Sequence, residues 1–239
     1  MLNKFFVLWF EAPLQSWGND SKFWRRDTLK FPTKSGIIGL ILCALGKTGA
    51  QIEFLEKLSL SKITVFSYLN TYFKDKLRKK VERAYILRDF HMIGNGYNEE
   101  DNWMEMNTLK KLDGKSSGAG VKVTQRFYLQ DSKFGVIMEV PVNLSDCLEE
   151  ALKMPVYDIY LGRKNCIPTD FVFQGCFDTH KEAEEKLSQV CIEKKLDLDF
   201  TVLDESLPEI GDVISLNDIP IQFGEEKKYR DRQVTIIEA

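Results

Sequence analysis

Long hydrophobic runs are missing from this sequence. Although 44% of its 239 residues are apolar, no stretch approaches the roughly 18 apolar residues that a membrane-spanning helix needs. The N-terminal run MLNKFFVLWFEAP is too short for a secretory signal, because Glu11 and Pro13 end it. We therefore expect a cytoplasmic protein that has no membrane partner.

Motifs for metals and nucleotides are also absent. The five cysteines include no C-x-x-C pair, which disfavours both a disulfide framework and a zinc site. Residues 46–48 (GKT) and 114–116 (GKS) have the end of a phosphate-binding loop, but Ile41 and Leu109 stand where that motif needs a glycine. We expect no metal, no cofactor and no nucleotide hydrolysis.

An excess of positive charge is missing as well, since the formal net charge is −3. The charge is unevenly distributed along the chain. Basic residues are concentrated in residues 22–34 and 74–83, and acidic residues in 99–105, 146–150 and the last third. A basic face is typical of proteins that bind nucleic acid, but many ordinary soluble proteins have one too. Composition therefore leaves RNA binding open without predicting it.

The most informative stretch of the sequence runs from Glu11 to Gly46. It joins an apolar strand, predicted over residues 4–10, to an apolar helix that begins after residues 32–36 and ends near Gly46. Free N–H groups at the start of a helix, together with nearby polar side chains, form an anion site. The residues predicted to form it are Thr33, Lys34, Ser35 and Gly36.

The loop between this strand and helix has the residue types of a nucleic-acid surface. Arg25 and Arg26 supply positive charge, and Trp17 offers a flat face on which an unstacked base can lie. The alternative is that the aromatic side chain belongs to the core and the arginines are solvated. The sequence alone leaves both interpretations open.

Hydrophobic patterning predicts an α+β fold. Without a long insertion, the predicted elements follow the order strand, helix, strand, strand, helix, strand, which is the ferredoxin-like pattern found in many RNA-binding modules. A smaller C-terminal part adds a helix and two strands. The predicted strands are 4–10, 62–73, 134–141, 171–177, 198–203 and 233–237, and the predicted helices are 37–46, 51–60, 145–153 and 180–195.

The insertion covers residues 84–130. Strands predicted over 84–92 and 121–130 can pair with each other across a glycine-containing segment of little periodicity. Apolar residues in such a segment predict a surface that becomes ordered against a partner, although a local core would contain the same residues. The predicted partner contacts are Trp103, Met104, Met106 and Leu109.

A second candidate site lies in the segment YLGRKNC, residues 160–166. Gly162 allows a tight turn or the close approach of a ligand. Arg163 and Lys164 can reach phosphates from such a turn, and Arg163 can also stack on a base. Arg126 is a further cation on the strand that leaves the insertion. The alternative is a surface loop with solvated cations.

His91 is one of two histidines in the chain. Cleavage of RNA by attack of a 2′-hydroxyl needs a general base, and histidine is the commonest one. A histidine at the end of a strand has a structural role more often than a catalytic one. Both interpretations of His91 remain open.

Two sequence blocks resemble one known family. The turn PLQSWG followed by FPTKSGIIGLILCALG resembles the N-terminal signature of CRISPR-associated RAMP proteins of the CasD family. The block YDIYLGRKNCIPTDFVF, residues 157–173, resembles that family's Y-x-x-Y-L-G-R-[RK]-x-C-x-x-T segment, and residues 88–91 (RDFH) resemble its entry into a long hairpin. The resemblance covers residues 1–180 and is weak beyond them.

The resemblance implies a ferredoxin-like RAMP domain over residues 1–180, with the insertion as a thumb, and a small α/β appendage over 181–239. It implies a non-catalytic subunit of the type I-E Cascade surveillance complex that holds the 5′ handle of the CRISPR RNA. The implied partners are this RNA, the backbone and large subunits and, indirectly, target DNA. The implied RNA-binding residues are Gln15, Trp17, Gly18, Arg25, Arg26, Thr33, Lys34, Ser35, Gly36, His91, Arg126, Tyr160, Gly162, Arg163 and Lys164.

Two other function classes remain. One is a metal-independent endoribonuclease that cuts repeat RNA, with His91 and either Tyr85 or Lys34 taking part. The other is a structural adaptor that recruits subunits through the insertion. The first class predicts a cut RNA product, and the second predicts complex assembly that survives loss of the basic residues.

Overall fold

The computed structural model describes residues 3–18, 21, 24–70, 86–93 and 122–239, and these form an α+β fold. Within these ranges no helix has the length and apolarity needed to cross a membrane. The strands are β1 (Asn3–Glu11), β2 (Leu14–Gln15), β3 (Arg25–Arg26), β4 (Ile63–Asn70), β5 (Ile86–Ile93), β6 (Lys122–Gln130), β7 (Lys133–Pro141), β8 (Phe173–Phe177), β9 (Leu196–Leu203), β10 (Asp212–Gln222) and β11 (Lys228–Glu238). The helices are α1 (Lys34–Ala44), α2 (Ile52–Ser59), α3 (Val142–Lys153) and α4 (His180–Lys194).

The main sheet is antiparallel and has the strand order β10-β11-β9-β4-β7-β1-β8. Its last four strands, with α1 and α2 after β1 and α3 after β7, follow the predicted order strand, helix, strand, strand, helix, strand. The predicted α+β fold with antiparallel strands is therefore confirmed.

Strand β1 lies inside this sheet and has both faces buried, as its unbroken apolar sequence predicts. On one face Phe6, Leu8 and Phe10 belong to a core with α1, α2 and α3. On the other face Val7 and Trp9 pack with residues of α4. Both faces of β1 are therefore covered by helices.

The C-terminal strands continue the main sheet. Strand β9 pairs with β4, β11 pairs with β9, and β10 forms the edge. The sequence did not predict β10, because Asn217, Asp218 and Pro220 interrupt its apolar pattern. Its register with β11 shifts at these residues, and an edge strand tolerates a proline since one side of its backbone needs no partner.

A second sheet carries the insertion. Strand β6 pairs with β2, β3 and β5, and the antiparallel register of β5 and β6 joins Ile86 to Leu129 and Asp89 to Arg126. The predicted pairing across the insertion is confirmed for these strands. The predicted partner contacts at 103, 104, 106 and 109 lie outside the described residues and stay predictions.

A buried network of charges joins the C-terminal strands to the start of α1. The Lys34 ammonium lies 2.9 Å from an Asp204 oxygen, and Arg232 lies 3.0 Å from the other oxygen of Asp204. Arg232 also donates two hydrogen bonds to Asp218, at 2.6 and 2.8 Å. Asp218 in turn accepts from the Lys34 backbone N–H at 2.7 Å. Two cations and two carboxylates thus close a loop in which each charge has a partner of opposite sign.

The pKa values in this network follow from burial and pairing. Burial alone would raise the pKa of Asp204, but Arg232 and Lys34 hold it below the usual value. Burial lowers the pKa of Lys34, and Asp204 opposes that shift. Because the pKa of Asp204 is depressed on folding, its contribution to stability is present above the unfolded pKa of about 3.9 and is lost as the pH falls through the folded value.

We predict that D204N lowers the free energy of unfolding at pH 7 by about 3–5 kcal/mol, because it leaves two buried cations short of a counter-charge. It should also flatten the loss of stability below about pH 4. Urea unfolding across a pH series measures both effects. The matched control is D212N, at an exposed position of β10, which should change stability by less than about 0.5 kcal/mol. Equal effects of the two substitutions would contradict the prediction.

Candidate nucleic-acid groove

A groove lies between the turn at 160–166 and one face of the β5–β6 pair. Side chains alternate along a strand, so that Asp89 and His91 of β5 lie on the same face as Arg126 and Tyr128 of β6. The groove has a volume of about 600 Å³. Its lining residues are Asp89, His91, Arg126, Tyr128, Tyr160, Gly162, Arg163, Lys164 and Asn165. Six of the predicted RNA-binding residues are among them.

Gly162 fixes the position of the turn. Its φ is +94°, and a Cβ built on it would lie 1.7 Å from the Ser16 carbonyl oxygen. The Ser16 backbone N–H donates to the carbonyl of Leu161 at 3.1 Å. The two sequence blocks that resemble the CasD family, far apart in the chain, are therefore in direct backbone contact.

Arg163 ties this turn to the second sheet. Its guanidinium donates to the carbonyl of Phe127 at 3.2 Å and to that of Arg26 at 2.9 Å. It also lies over the ring of Tyr128, 4.6 Å from the ring centroid. With two carbonyls and one ring as partners, Arg163 first serves to hold the wall of the groove in place.

Other cations of the groove are exposed. Arg126 and Lys164 are both exposed, and neither forms an ion pair with any residue that the structure describes. Arg26 is exposed too and pairs in parallel register with Arg126. The His91 imidazole instead lies 2.6 Å from a carboxylate oxygen of Asp89. Among the lining residues that the structure describes, the groove thus combines accessible positive charge with one carboxylate.

Gln15 and Trp17 lie in the core, and this position corrects the interpretation of Trp17 as a stacking face. The Gln15 amide donates to the carbonyls of Phe10 and Ser132, at 3.2 and 2.7 Å, and accepts from the Trp17 indole N–H at 3.1 Å. The Trp17 ring is 1% exposed and packs on Phe10 and against Gly36. Neither side chain is open to a base, so we leave both out of the proposed RNA site.

The start of α1 has an anion partner, but this partner is part of the chain. The Thr33 hydroxyl accepts from the Gly36 N–H at 3.1 Å, and the Asp218 carboxylate accepts from the Lys34 N–H. The Lys34 ammonium is buried against Asp204. We therefore leave Thr33, Lys34 and Gly36 out of the proposed RNA site as well.

The remaining predicted residues lie apart from the groove. Arg25 packs over the Phe127 ring, with 5.1 Å to the centroid, on the opposite face of β6, and its Nε donates to Asp27. Gly18 and Ser35 line a separate cavity of about 420 Å³ beside β10 and β11. The structure thus brings together one part of the predicted set and separates the other.

Sequence reasoning missed Asp89, Tyr128 and Asn165 as lining residues. Asp89 and Tyr128 each lie two positions from a predicted residue, His91 and Arg126 respectively, and strand alternation puts such pairs on one face. This signal becomes usable only after the register of β5 and β6 is known. Among the described residues, no group of histidine, cysteine and acidic side chains is arranged to hold a metal ion.

We predict that G162A destabilises the fold more than G49A does. Both glycines have positive φ, but a Cβ at Gly49 would meet nothing within 4 Å. G49A should therefore cost about 1–2 kcal/mol for the backbone conformation alone, and G162A about 1–3 kcal/mol more for the clash with Ser16. Urea denaturation measures the difference. Equal losses would show that the contact with Ser16 relaxes without cost.

Comparison with known proteins identifies relatives of this chain and structures with a similar fold. The chain is 28% identical over 178 residues to the CRISPR system Cascade subunit CasD of Escherichia coli K12, a match that covers 73% of this chain and 71% of the relative. Its fold is similar to a chain of a CRISPR RNA-guided surveillance complex, with a TM-score of 0.70 and 24% identity, covering 98% of this chain and 90% of that one. It is also similar to a structure described as that of a Cas protein, with a TM-score of 0.54 and 23% identity, covering 98% and 94%.

The family model described as CRISPR-associated protein (Cas_Cas5) matches residues 5–235. This match covers nearly the whole chain and includes the start of α1, the β5–β6 pair and the turn at 160–166. It confirms, at the level of the family, the resemblance first seen in two short blocks. The chain belongs to the Cas5 family of CRISPR-associated proteins.

Proposed function

We propose that this chain is a non-catalytic RNA-binding subunit of a type I-E Cascade surveillance complex and that its groove holds the repeat-derived 5′ handle of the CRISPR RNA. The observation that carries the proposal is the groove itself, in which Arg126 and Lys164 are exposed beside the ring of Tyr160. Cations of this kind bind the phosphates of a single strand, and flat side chains stack on its splayed bases.

The residues of the groove have two different roles in binding. Arg126 and Lys164 contact phosphates, with Arg26 as the next cation on the neighbouring strand. Gly162 and Arg163 keep the wall in place, the first through its contact with Ser16 and the second through its carbonyl partners. Shape and charge thus come from different side chains.

Partner contacts complete the proposal. The insertion between β5 and β6 packs against a neighbouring backbone subunit as a thumb, through the apolar residues predicted in it. The large subunit is a further partner, and target DNA contacts this chain only indirectly, through the assembled complex. In the adaptor alternative the complex assembles through the insertion alone. If the complex still assembles when Arg126 and Lys164 are substituted and guide RNA is left out, that alternative is favoured.

We predict that R126A and K164A each weaken binding of the 5′ handle RNA about tenfold, or about 1.4 kcal/mol. Each should also reduce the slope of log affinity against log salt by about 0.7, the value for one phosphate on a single strand. Titration of a labelled handle RNA at several salt concentrations measures both quantities.

The control for these variants is K181A, which removes an exposed cation of α4, on the far face of the main sheet. It should leave both the affinity and the salt slope unchanged. If K181A weakens binding as much as R126A and K164A do, the RNA binds by non-specific electrostatic attraction, and the assignment of the groove as the RNA site is contradicted.

One observation favours a second candidate, the metal-independent endoribonuclease. His91 and Asp89 are 2.6 Å apart, and a carboxylate in this position orients an imidazole for proton transfer. Of the two helpers considered with His91, Lys34 is buried in the charge network, and Tyr85 lies outside the described residues. In this candidate His91 can still act as the general base, but Lys34 is not available to assist it.

We predict that the purified chain leaves repeat RNA intact in the absence of metal while it shifts this RNA on a native gel. Doubly end-labelled repeat RNA, run in parallel on native and denaturing gels, tests both points. A discrete product that disappears in H91A would overturn the non-catalytic assignment. An intact RNA whose shift is competed by the handle, and not by a scrambled strand, would support it.

A further inference from the structure

Asp89 is an anion on the wall of the groove, and the other charged side chains among its described lining residues are cations. It lines the groove together with Arg126, Arg163 and Lys164. A carboxylate at this place repels the phosphates of a bound strand. The proposed RNA site would bind its polyanion more tightly without it, so Asp89 needs another role there.

Neutralisation of a neighbouring cation does not explain Asp89. Arg126 stands directly opposite it in the register of β5 and β6, which is the position where opposite charges on a strand pair can meet. The carboxylate contacts the His91 imidazole instead, at 2.6 Å. Within the described part of the chain Arg126 has no ion pair, so the two opposite charges are left apart.

The contact with His91 engages one oxygen of the carboxylate, and within the described ranges most of its accepting capacity is unused. An ionised carboxylate has about four lone-pair positions on two oxygens. The His91 Nε2 lies 2.6 Å from Oδ1, and Asp89 has no hydrogen bond or ion pair with any other residue that the structure describes. The Asp89 side chain is 27% exposed, and it lines the groove. Its remaining positions can accept from a ligand there.

The ligand that suits such an acceptor is a base edge with two adjacent donors. Guanine offers N1–H and an N2 amino hydrogen side by side on its Watson–Crick edge, so both carboxylate oxygens are satisfied at once. Uracil offers a single N–H on that edge, and the amino groups of adenine and cytosine stand beside ring nitrogens that are acceptors and would face the second oxygen. Single-stranded RNA is read on these edges when its bases are splayed out.

We propose that Asp89, held by His91, reads the Watson–Crick edge of a guanine that is splayed into this groove. The inference rests on the proposed function and names the base that the same site selects. Tyr160 supplies the stacking face, since the face of Tyr128 is taken by Arg163. Arg126 and Lys164 bind the flanking phosphates, and a groove of about 600 Å³ lies in the size range of sites that enclose small ligands.

The test uses short RNAs whose sequence does not depend on any particular repeat. An octamer of uridines is compared with octamers that carry one guanosine at each position in turn, and binding to the full chain is measured by fluorescence anisotropy. One position of guanosine should raise the affinity about tenfold or more, the discrimination expected of a bidentate contact. Adenosine or cytidine at that position should not.

Inosine then isolates the contact itself, because it is guanosine without the N2 amino group. At the selected position inosine should lose most of the gain with the wild-type chain. With D89N the inosine octamer should bind as well as the guanosine octamer does, since an amide has one accepting oxygen and cannot accept from both N1–H and the N2 amino group. H91Q, which removes the imidazole that orients the carboxylate, should shrink the ratio of guanosine to inosine affinity.

Two controls separate this inference from general binding. N165A removes an amide side chain of the groove that can also hydrogen-bond a base edge, and it should keep the preference for guanosine. K164A should weaken all octamers by the same factor. The thermal midpoint of D89N, compared with that of the wild type, shows whether the variant is folded.

Each outcome decides something. Equal affinity of guanosine and inosine octamers for the wild-type chain overturns the inference and leaves the proposed function standing. A guanosine-to-inosine ratio that survives in folded D89N overturns it as well. If no octamer binds to the chain at any position, both the proposed function of the groove and the inference that rests on it are contradicted.

Discussion

The contact between Gly162 and Ser16 determines where the candidate site can be. It brings two loops together that are far apart in the chain, and no residue with a Cβ fits at Gly162 without a clash with the Ser16 carbonyl. Once the turn is in place, Arg163 reaches the carbonyls of Phe127 and Arg26 and closes one wall of the groove. The geometry of the exposed cations therefore depends on a backbone contact that carries no charge. Backbone packing thus determines the position of the site, and the exposed charges follow from that position.

The charge network at the start of α1 shows how the same chemistry can serve the fold alone. A helix N-terminus favours an anion, and here Asp218 supplies it from β10. Lys34 and Arg232 then balance Asp218 and Asp204 in a buried environment where each charge is costly without a partner. The network attaches the C-terminal strands to the first helix, and these strands are part of the main sheet rather than a separate unit.

The fold was predictable where the pattern is local. Strand β1 and helix α1 have continuous apolar sequences, and the pairing of β5 with β6 follows from two alternating segments. The role of Lys34 was not predictable, because its partners Asp204 and Asp218 lie 170 and 184 positions away in the chain. The burial of Trp17 depends on packing against Gly36 in the same way. In a sequence, a lysine at a helix start has the same appearance whether an RNA phosphate or an internal carboxylate binds it.

The two arginines of the groove illustrate why residue type alone does not assign a function. Arg163 belongs to the clearest motif of the sequence, yet two carbonyls and the ring of Tyr128 occupy its guanidinium. Arg126 belongs to no motif and is exposed beside it. Because the guanidinium of Arg163 is already bound, its loss would disturb the shape of the groove, whereas loss of Arg126 would remove charge and leave the shape intact. A substitution at Arg163 that weakens RNA binding therefore reports on architecture, and only the salt dependence of binding distinguishes it from a lost phosphate contact.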